Sequence, residues 1–272
     1  MQTPHAAAGA AGVASRPAWQ RLAPDVPLPQ RDLLDPAAGS SAERFADRLT
    51  GRHPATVAAI VTVLGYAFLT AALVGLGLFL TKMVFDGASG GDAALNRWFE
   101  ARRTPTWDDV SRYGSMIADT LTVVGIAVLV AFVLGCRRCW REISFLAIAL
   151  LLEVTVFVSV AFLVSRERPP VLRLDEAPPT SSFPSGHTAA SVVLYGGLAL
   201  IITAHVRNTA VRAVVWTVAV CAPLFVGTAR LYRGMHFPSD VASGALLGVA
   251  CLLVALFAVR AAAAVARREV TS

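Results

Sequence analysis

Six continuous apolar runs account for most of the chain after residue 54, and polar residues collect between them. Each run approaches the roughly 20 residues that a helix needs to cross the hydrocarbon core of a bilayer. Apolar and polar positions do not alternate within the runs, which favours helices over the strands of a membrane barrel. The pattern therefore predicts an all-α fold, a six-transmembrane-helix bundle with spans at approximately 56–81, 118–135, 143–164, 188–205, 212–229 and 240–262.

The segments outside these runs indicate the domain organisation. Residues 1–54 are rich in Ala, Pro, Arg and Asp and have no apolar period, so we predict a disordered cytoplasmic tail. Residues 55–264 form the predicted membrane domain, and residues 265–272 form a second cytoplasmic tail. Residues 83–117 carry Trp and Phe among charges, which is typical of a segment in the membrane interface; an ordinary polar loop is the alternative.

Composition narrows the class of protein. Of 272 residues, 56% are hydrophobic and 15% are charged, which is more apolar surface than a soluble domain of this size buries. The net charge is +6, but the arginines are scattered at the ends of apolar runs and form no stripe for nucleic acid. Much Ala and a preference for Arg over Lys are typical of a GC-rich bacterial genome, so we expect a bacterial plasma membrane.

Basic residues in the short connections predict the orientation. The RRCWR stretch between the second and third runs favours cytoplasmic N- and C-termini. With six spans, the ends of the third and fifth runs and the starts of the fourth and sixth then share the extracytoplasmic face.

Ionisable side chains gather at these four helix ends, in the stretches SRERPP, SSFPSGHTAAS and TARLYRGMHFPSD. Two histidines and several arginines brought to one membrane surface predict an anion site with acid–base capability. The converging residues are Arg166, Arg168, Ser185, His187, Arg230, His236 and Asp240.

The spacing of the third stretch suggests an activated nucleophile. His236 and Asp240 are four residues apart, so a helix that starts near Pro238 would place the carboxylate beside the imidazole. Asp240 would then accept a hydrogen bond from one ring nitrogen and leave the other free to attack.

The P-S-G-H tetrad at 184–187 is expected to open the fourth helix. Ser185 and the backbone N–H groups would face an anion at the positive helix end. Arg168 and Arg230 supply planar donors that match phosphate oxygens, and His187 is placed to protonate a leaving alcohol.

These residues resemble the type 2 phosphatidic acid phosphatase superfamily, which also includes vanadium haloperoxidases and bacterial acid phosphatases. Its three motifs are K-x6-R-P, P-S-G-H and S-R-x5-H-x3-D. The matching residues, in chain order, are Arg168-Pro169, Pro184-Ser185-Gly186-His187, and Arg230, His236 and Asp240.

The resemblance implies a phosphatase that uses neither a metal nor another cofactor, acting on lipid phosphates at the outer face of the membrane. It assigns the attack on phosphorus to His236, the orientation of that ring to Asp240, and the general acid to His187. It assigns the phosphoryl oxygens to Arg168, Arg230, Ser185 and the Gly186 amide.

Two positions depart from the motifs. Ala161 stands at the Lys position of the first motif, and Ala229 at the Ser position of the third. Loss of one preorganised donor costs about 3 kcal/mol of transition-state stabilisation. We predict that Arg166, two residues before Arg168, supplies the missing charge as a further phosphate-binding residue.

The predicted function is hydrolysis of a lipid phosphate or a prenyl (di)phosphate through a phosphohistidine at His236. Candidate substrates are phosphatidic acid, diacylglycerol pyrophosphate, phosphatidylglycerophosphate and polyprenyl phosphates or diphosphates. The expected partners are this substrate and membrane lipids, with no nucleic acid and no obligate protein partner. Two alternatives stay open: a non-catalytic lipid-phosphate-binding protein, which Ala161 and Ala229 favour, and a phosphoryl-group transferase with the same site.

Glu153 and the cysteines lie apart from the motifs. Glu153 falls in the middle of the third run, where we expect a protonated side chain hydrogen-bonded between helices, with a proton relay as the alternative. Cys136 and Cys139 form a C-x-x-C without a second pair, which favours reduced thiols over zinc. The arginines beside the two motif histidines favour a bound anion there over a metal.

Overall fold

The structure is a computed structural model, and it describes residues 33–83, 90–176 and 180–271. Within these ranges every regular element is a helix, as the apolar runs predict. The helices are α1 Ser41–Asp47, α2 Pro54–Met83, α3 Gly90–Glu100, α4 Pro105–Met116, α5 Thr120–Cys136, α6 Trp140–Val164, α7 Gly186–His205, α8 Thr209–Tyr232 and α9 Pro238–Thr271.

Five of the described helices, α2, α6, α7, α8 and α9, are each long and apolar enough to cross a bilayer. The sixth predicted span corresponds to α5, which has only 17 residues and would rise about 26 Å on its own. With α4 it forms a pair bent by 43°, and the two helices together pass as one crossing. The predicted six-helix bundle is therefore present when the bent pair is taken as one span.

The core lies where α6, α7 and α9 meet. The buried face of α6 repeats at helical spacing through Phe145, Ala149, Leu152, Val156 and Val160. Glycines on α9 bring it close to α7, because a Cβ at Gly244 would lie 2.4 Å from the Ser185 carbonyl oxygen, and one at Gly248 2.8 Å from that of Ala189. This close approach sets the N-termini of α7 and α9 side by side.

The segment before α2 is folded where the structure describes it. The small buried residues Ala42 and Ala46 of α1 pack against Ala261 and Ala264 of α9, and Asp35 pairs with Arg141 and Arg267. The prediction of a disordered tail is therefore wrong for residues 33–54. The buried face of α1 consists of alanines, which pack on α9 but form no apolar run in the sequence. Residues 1–32 lie outside the described residues. At the other end, the predicted tail from residue 265 continues α9 as far as Thr271.

The predicted interfacial connection contains α3 and α4, and residues 84–89 within it lie outside the described residues. One face of this pair packs on α8 through Asn96, Ser111 and Gly114, while Trp98 and Trp107 are exposed. This amphipathic arrangement suits a membrane interface, and that location stays a prediction.

The contact between α7 and α9 can be tested with Gly244→Ala. The added methyl group has no room against the Ser185 backbone, so we expect a loss of about 1–3 kcal/mol and a lower unfolding temperature in detergent. Gly75→Ala is the matched control, since a Cβ there meets nothing within 4 Å and Ala is the better helix former. Equal unfolding temperatures for the two variants would contradict the packing argument.

Candidate active site

The polar centre of the molecule lies at one end of the bundle. It is formed by the segment after α6, the N-terminus of α7, the C-terminus of α8 and the turn that leads into α9. Five of the residues predicted from the sequence line one cavity there: Arg168, Gly186, His187, Arg230 and His236.

His236 is held in one orientation by its surroundings. It is 5% exposed, and its Nδ1 lies 2.7 Å from the carbonyl oxygen of Ser182. A carbonyl only accepts, so Nδ1 carries the hydrogen and Nε2 keeps its lone pair. Burial, reinforced by the positive charges of Arg230 and Arg168, lowers the pKa of His236 well below its usual 6.5. At neutral pH the ring is therefore uncharged, with one basic nitrogen.

Asp240 does not accept the hydrogen bond predicted from the spacing. Its nearest oxygen is 3.9 Å from His236 Nδ1, which is beyond hydrogen-bond distance. The carboxylate instead accepts from the Phe237 backbone N–H at 2.8 Å and from Arg166 Nη1 at 2.5 Å. His236 precedes the helix start at Pro238, so the four-residue spacing does not follow a helical turn. Asp240 thus fixes the turn that carries His236, and the predicted direct contact is wrong.

Arg166 is placed differently from the prediction. Its guanidinium is fully buried and binds Asp92 at 2.9 Å and Asp240 at 2.5 Å, and it stacks over Phe237 at 4.3 Å. Two carboxylates therefore neutralise its charge, and it does not line the cavity. The predicted phosphate-binding role of Arg166 is wrong in this geometry; its contacts position Asp240.

Arg230 and Arg168 present positive charge to the cavity. Arg230 is buried, and its Nη1 binds Ser115 Oγ and Asp175 Oδ2, each at 3.0 Å. Its Nε has no hydrogen-bond partner among the described residues, which is costly for a buried donor. Arg168 is half-buried and donates to the Met235 carbonyl oxygen at 2.8 Å. A phosphate oxygen would satisfy such an unpaired guanidinium N–H.

The start of α7 supplies backbone rather than side-chain donors. Gly186 and His187 line the cavity, whereas Ser185 is fully buried with its hydroxyl 2.9 Å from that of Thr188. A Cβ at Gly186 would lie 2.9 Å from the Phe157 ring, so any larger residue there would have to displace that ring. The site therefore offers an uncapped helix N-terminus to an anion, and the predicted phosphate contact of the Ser185 side chain stays a prediction.

Asp175 and Arg233 hold Arg230 in place. Arg233 binds the Asp175 carboxylate at 2.5 and 2.8 Å and also donates to Ser111 Oγ on α4 at 3.0 Å. Although burial alone would raise it, the pKa of Asp175 is lowered by Arg233 and Arg230, which keeps the carboxylate ionised. This pairing ties the segment after α6 to α4.

Two supporting residues have no motif in the sequence. Asp92 on α3 accepts from Arg166 and from the Ser239 hydroxyl. Asn96, one turn further on, donates to the His236 carbonyl oxygen at 3.0 Å and is fully buried. A polar pair spaced by one helical turn in an amphipathic segment is the signal that could have indicated a buried polar face.

The cavity extends far beyond the polar residues. Its volume is about 1030 Å³, and it continues between α5 and α6 along apolar side chains such as Val124, Val128, Leu150 and Val154. Glu153 lines this apolar part and makes no hydrogen bond to any residue that the structure describes, so the predicted bond between helices is wrong. A cavity with a cationic end and a long apolar extension fits an amphiphilic anion.

Comparison with known proteins places this architecture in a class. Residues 142–263 match the PAP2 superfamily model. The transmembrane PAP2 type phosphatidylglycerolphosphate phosphatase from Bacillus subtilis has a similar fold, with a TM-score of 0.61 at 21% identity over 69% of this chain and 94% of that one. The region that carries the three motifs thus matches the PAP2 superfamily, and the resemblance seen in the sequence is confirmed.

Two curated relatives match shorter stretches. The bacitracin transport permease protein BcrC of Bacillus licheniformis is 39% identical over 89 residues, which are 33% of this chain and 37% of that protein. The undecaprenyl-diphosphatase of Sulfolobus acidocaldarius is 31% identical over 106 residues, which are 39% of this chain and 47% of that protein. The chain therefore spans less than half the length of these two relatives.

The support from Asp92 can be tested by Asp92→Asn. Removing one carboxylate leaves the buried Arg166 with Asp240 as its remaining anion, so we expect a loss of about 1–3 kcal/mol and a lower unfolding temperature. Asp109→Asn is the matched control, because Asp109 is exposed on α4. If Asp92→Asn unfolds at the wild-type temperature, the ion pair does not hold this end of the bundle together.

Proposed function

We propose that the chain is an integral membrane phosphatase that hydrolyses a lipid phosphate or a prenyl (di)phosphate through a phosphohistidine at His236. The observation that carries this proposal is the buried imidazole whose Nδ1 is bound to Ser182. Its Nε2 is left with a lone pair in a cavity that Arg168 and Arg230 make positive.

The proposed reaction has two steps. His236 Nε2 attacks phosphorus, the bond from phosphorus to the leaving oxygen breaks, and protonated His187 gives its proton to that oxygen. Water then attacks the phosphohistidine, His187 takes up a proton from it, and free phosphate leaves with Nε2 restored. Arg168, Arg230 and the N-terminus of α7 stabilise the charge on the equatorial oxygens in both steps.

The shape of the cavity favours a long-chain substrate. Its apolar part follows α5, whose 17 residues rise about 26 Å. A water-soluble phosphate ester would leave this surface uncovered, whereas a lipid or prenyl chain would cover it. The names of the relatives point to the same class, since one is an undecaprenyl-diphosphatase and the structural neighbour is a phosphatidylglycerolphosphate phosphatase.

We further propose that the protein lies in a bacterial plasma membrane with both termini in the cytoplasm. The arginines of the connection between α5 and α6 support this orientation. The cavity end with His236 then faces the extracytoplasmic side, and the exposed Trp98 of α3 lies at the interface there.

The motif departures bear on the alternative of a non-catalytic binder. Arg166 does not replace the charge missing at Ala161, so Arg168 and Arg230 carry the phosphoryl group without it. Ala229 faces Gly114 of α4, and a Cβ added at Gly114 would lie 2.8 Å from the Ala229 Cβ. The two helices are therefore close here, and a small residue at position 229 suits the contact. The unprotonated His236 Nε2 has no use in a binder, which favours the enzyme.

His236→Ala tests the proposed chemistry. We expect the purified protein to release phosphate from lipid phosphates or prenyl diphosphates with EDTA present, and the variant to lose at least about 1,000-fold of this rate. Rapid quenching should also trap an acid-labile, alkali-stable phosphoenzyme in the wild type only. The control is His53→Gln, since His53 is exposed and far along the chain from the motifs.

Other results would decide between the alternatives. Binding of lipid phosphate without release would establish the binder. Release only when an acceptor alcohol is added would establish the transferase. Release that persists in His236→Ala would contradict the phosphohistidine.

The chain-length preference is tested by Val128→Trp. Val128 and its neighbour Leu129 are 63% and 62% exposed, but only Val128 lines the cavity. We expect Val128→Trp to raise KM for a long-chain substrate about tenfold, the effect of losing about two buried CH₂ groups, and to spare a short soluble ester. Leu129→Trp should change neither, and an equal effect of both variants would contradict a substrate chain in this cavity.

A further inference from the structure

Three metal-binding side chains meet at the end of the bundle opposite the phosphatase cavity. Cys139 immediately precedes α6, Glu142 lies in its first turn, and His205 is the last residue of α7. One ligand atom from each lies within 4.8 Å of the other two. Because α6 has 25 residues, about 38 Å of helix separates this cluster from the segment that carries Arg168.

We propose that Cys139, Glu142 and His205 bind a divalent metal ion of the zinc class, a site that is independent of the phosphatase reaction. A thiolate, an imidazole and a carboxylate are the three side-chain types that zinc selects in proteins. Hard cations such as Mg²⁺ and Ca²⁺ take oxygen ligands and would leave the sulfur and nitrogen unused.

The geometry is close to that of a zinc site with three protein ligands. Glu142 Oε1 and His205 Nε2 are 3.1 Å apart, and two such ligands of a tetrahedral zinc ion are about 3.4 Å apart. The sulfur lies within 4.8 Å of both, whereas a bound ion needs about 3.6 Å between sulfur and nitrogen. A movement of about 1 Å by the Cys139 side chain or the partly exposed His205 ring would complete the site.

Charge and burial also suit a cation. Glu142 and Cys139 are buried, so an ion there is shielded from bulk water on two sides. The Cys139 thiol releases its proton when it binds, and the resulting thiolate and the Glu142 carboxylate together balance the two charges of the ion. Water completes the fourth position on the side of the partly exposed His205.

His205 lies far along the sequence from Cys139 and Glu142, so no spacing motif indicates the three residues together. The C-x-x-C pattern directs attention to Cys136, which is exposed at the end of α5. The structure joins Cys139 instead to a carboxylate one turn further on and to a histidine 63 residues beyond that carboxylate. The site would fasten the N-terminus of α6 to the C-terminus of α7.

Cobalt binding tests this proposal on the full chain in detergent. After chelator treatment, the reduced protein is titrated with Co²⁺, and the thiolate-to-cobalt charge-transfer band and the visible bands of a four-coordinate ion are recorded. We expect one Co²⁺ per chain, displaced by Zn²⁺. Cys139→Ser should remove the charge-transfer band. Glu142→Gln and His205→Gln should weaken binding at least about tenfold, because even residues that only support the direct ligands contribute about that much to metal affinity.

Cys136→Ser and Cys221→Ser are the matched controls, and both should keep the band. Wild-type protein without a thiolate band would overturn the proposal and leave the Glu142–His205 ion pair as the whole interaction. A band that survives Cys139→Ser, or that Cys136→Ser abolishes, would also overturn it. If Cys139→Ser does not fold, the visible bands of His205→Gln decide, since loss of a nitrogen ligand must shift them; unchanged bands would exclude His205.

Discussion

The buried guanidinium of Arg166 is the interaction on which the polar end of the molecule depends. A charge with this burial requires partners of opposite sign, and it finds them on α3 in Asp92 and on α9 in Asp240. The backbone of the same residue pairs with the next part of the site, because its carbonyl oxygen accepts from the Ser182 N–H at 2.9 Å. Ser182 in turn accepts from His236. Through its side chain and its backbone, this one residue therefore fixes both the start of α9 and the carbonyl that orients the His236 ring.

The four arginines of the site form two groups, one that supports the structure and one that lines the cavity. Arg166 and Arg233 are each paired with protein carboxylates, and they hold separate segments together. Arg230 and Arg168 line the cavity, whereas Arg166 and Arg233 do not, so the first two direct charge into it. Asp175 links the groups, since its carboxylate binds both Arg233 and Arg230. The cavity-lining arginines are thus supported by the ion pairs of Arg166 and Arg233, two residues that do not line the cavity.

Much of this architecture could be predicted because a bilayer restricts it. Long apolar runs must become helices, and the order of six runs decides which ends meet, so His187, Arg230 and His236 were expected on one surface. The direction of a side chain is not set by such rules. Arg166 lies two residues from Arg168, yet it points towards carboxylates because Asp92, on a different helix, neutralises it. The contact of Asp240 with His236 was misjudged because the helix begins between them. The packing of α1 on α9 could not be predicted, because the two buried alanines of α1 do not produce a recognisable apolar period in the sequence.

The length of α9 connects the position of His236 to the thickness of the membrane. Between Asp240 and Arg260 this helix has no charged residue, and these 20 steps rise about 30 Å, the thickness of a typical hydrocarbon core. Arg260 donates to the Leu33 carbonyl oxygen, so the far end is fastened to the N-terminal segment, while Asp240 is fastened to Arg166. The helix cannot slide to accommodate a thicker or thinner bilayer. The hydrophobic thickness of the host membrane would therefore set the depth of His236, and lipid composition would affect the proposed reaction.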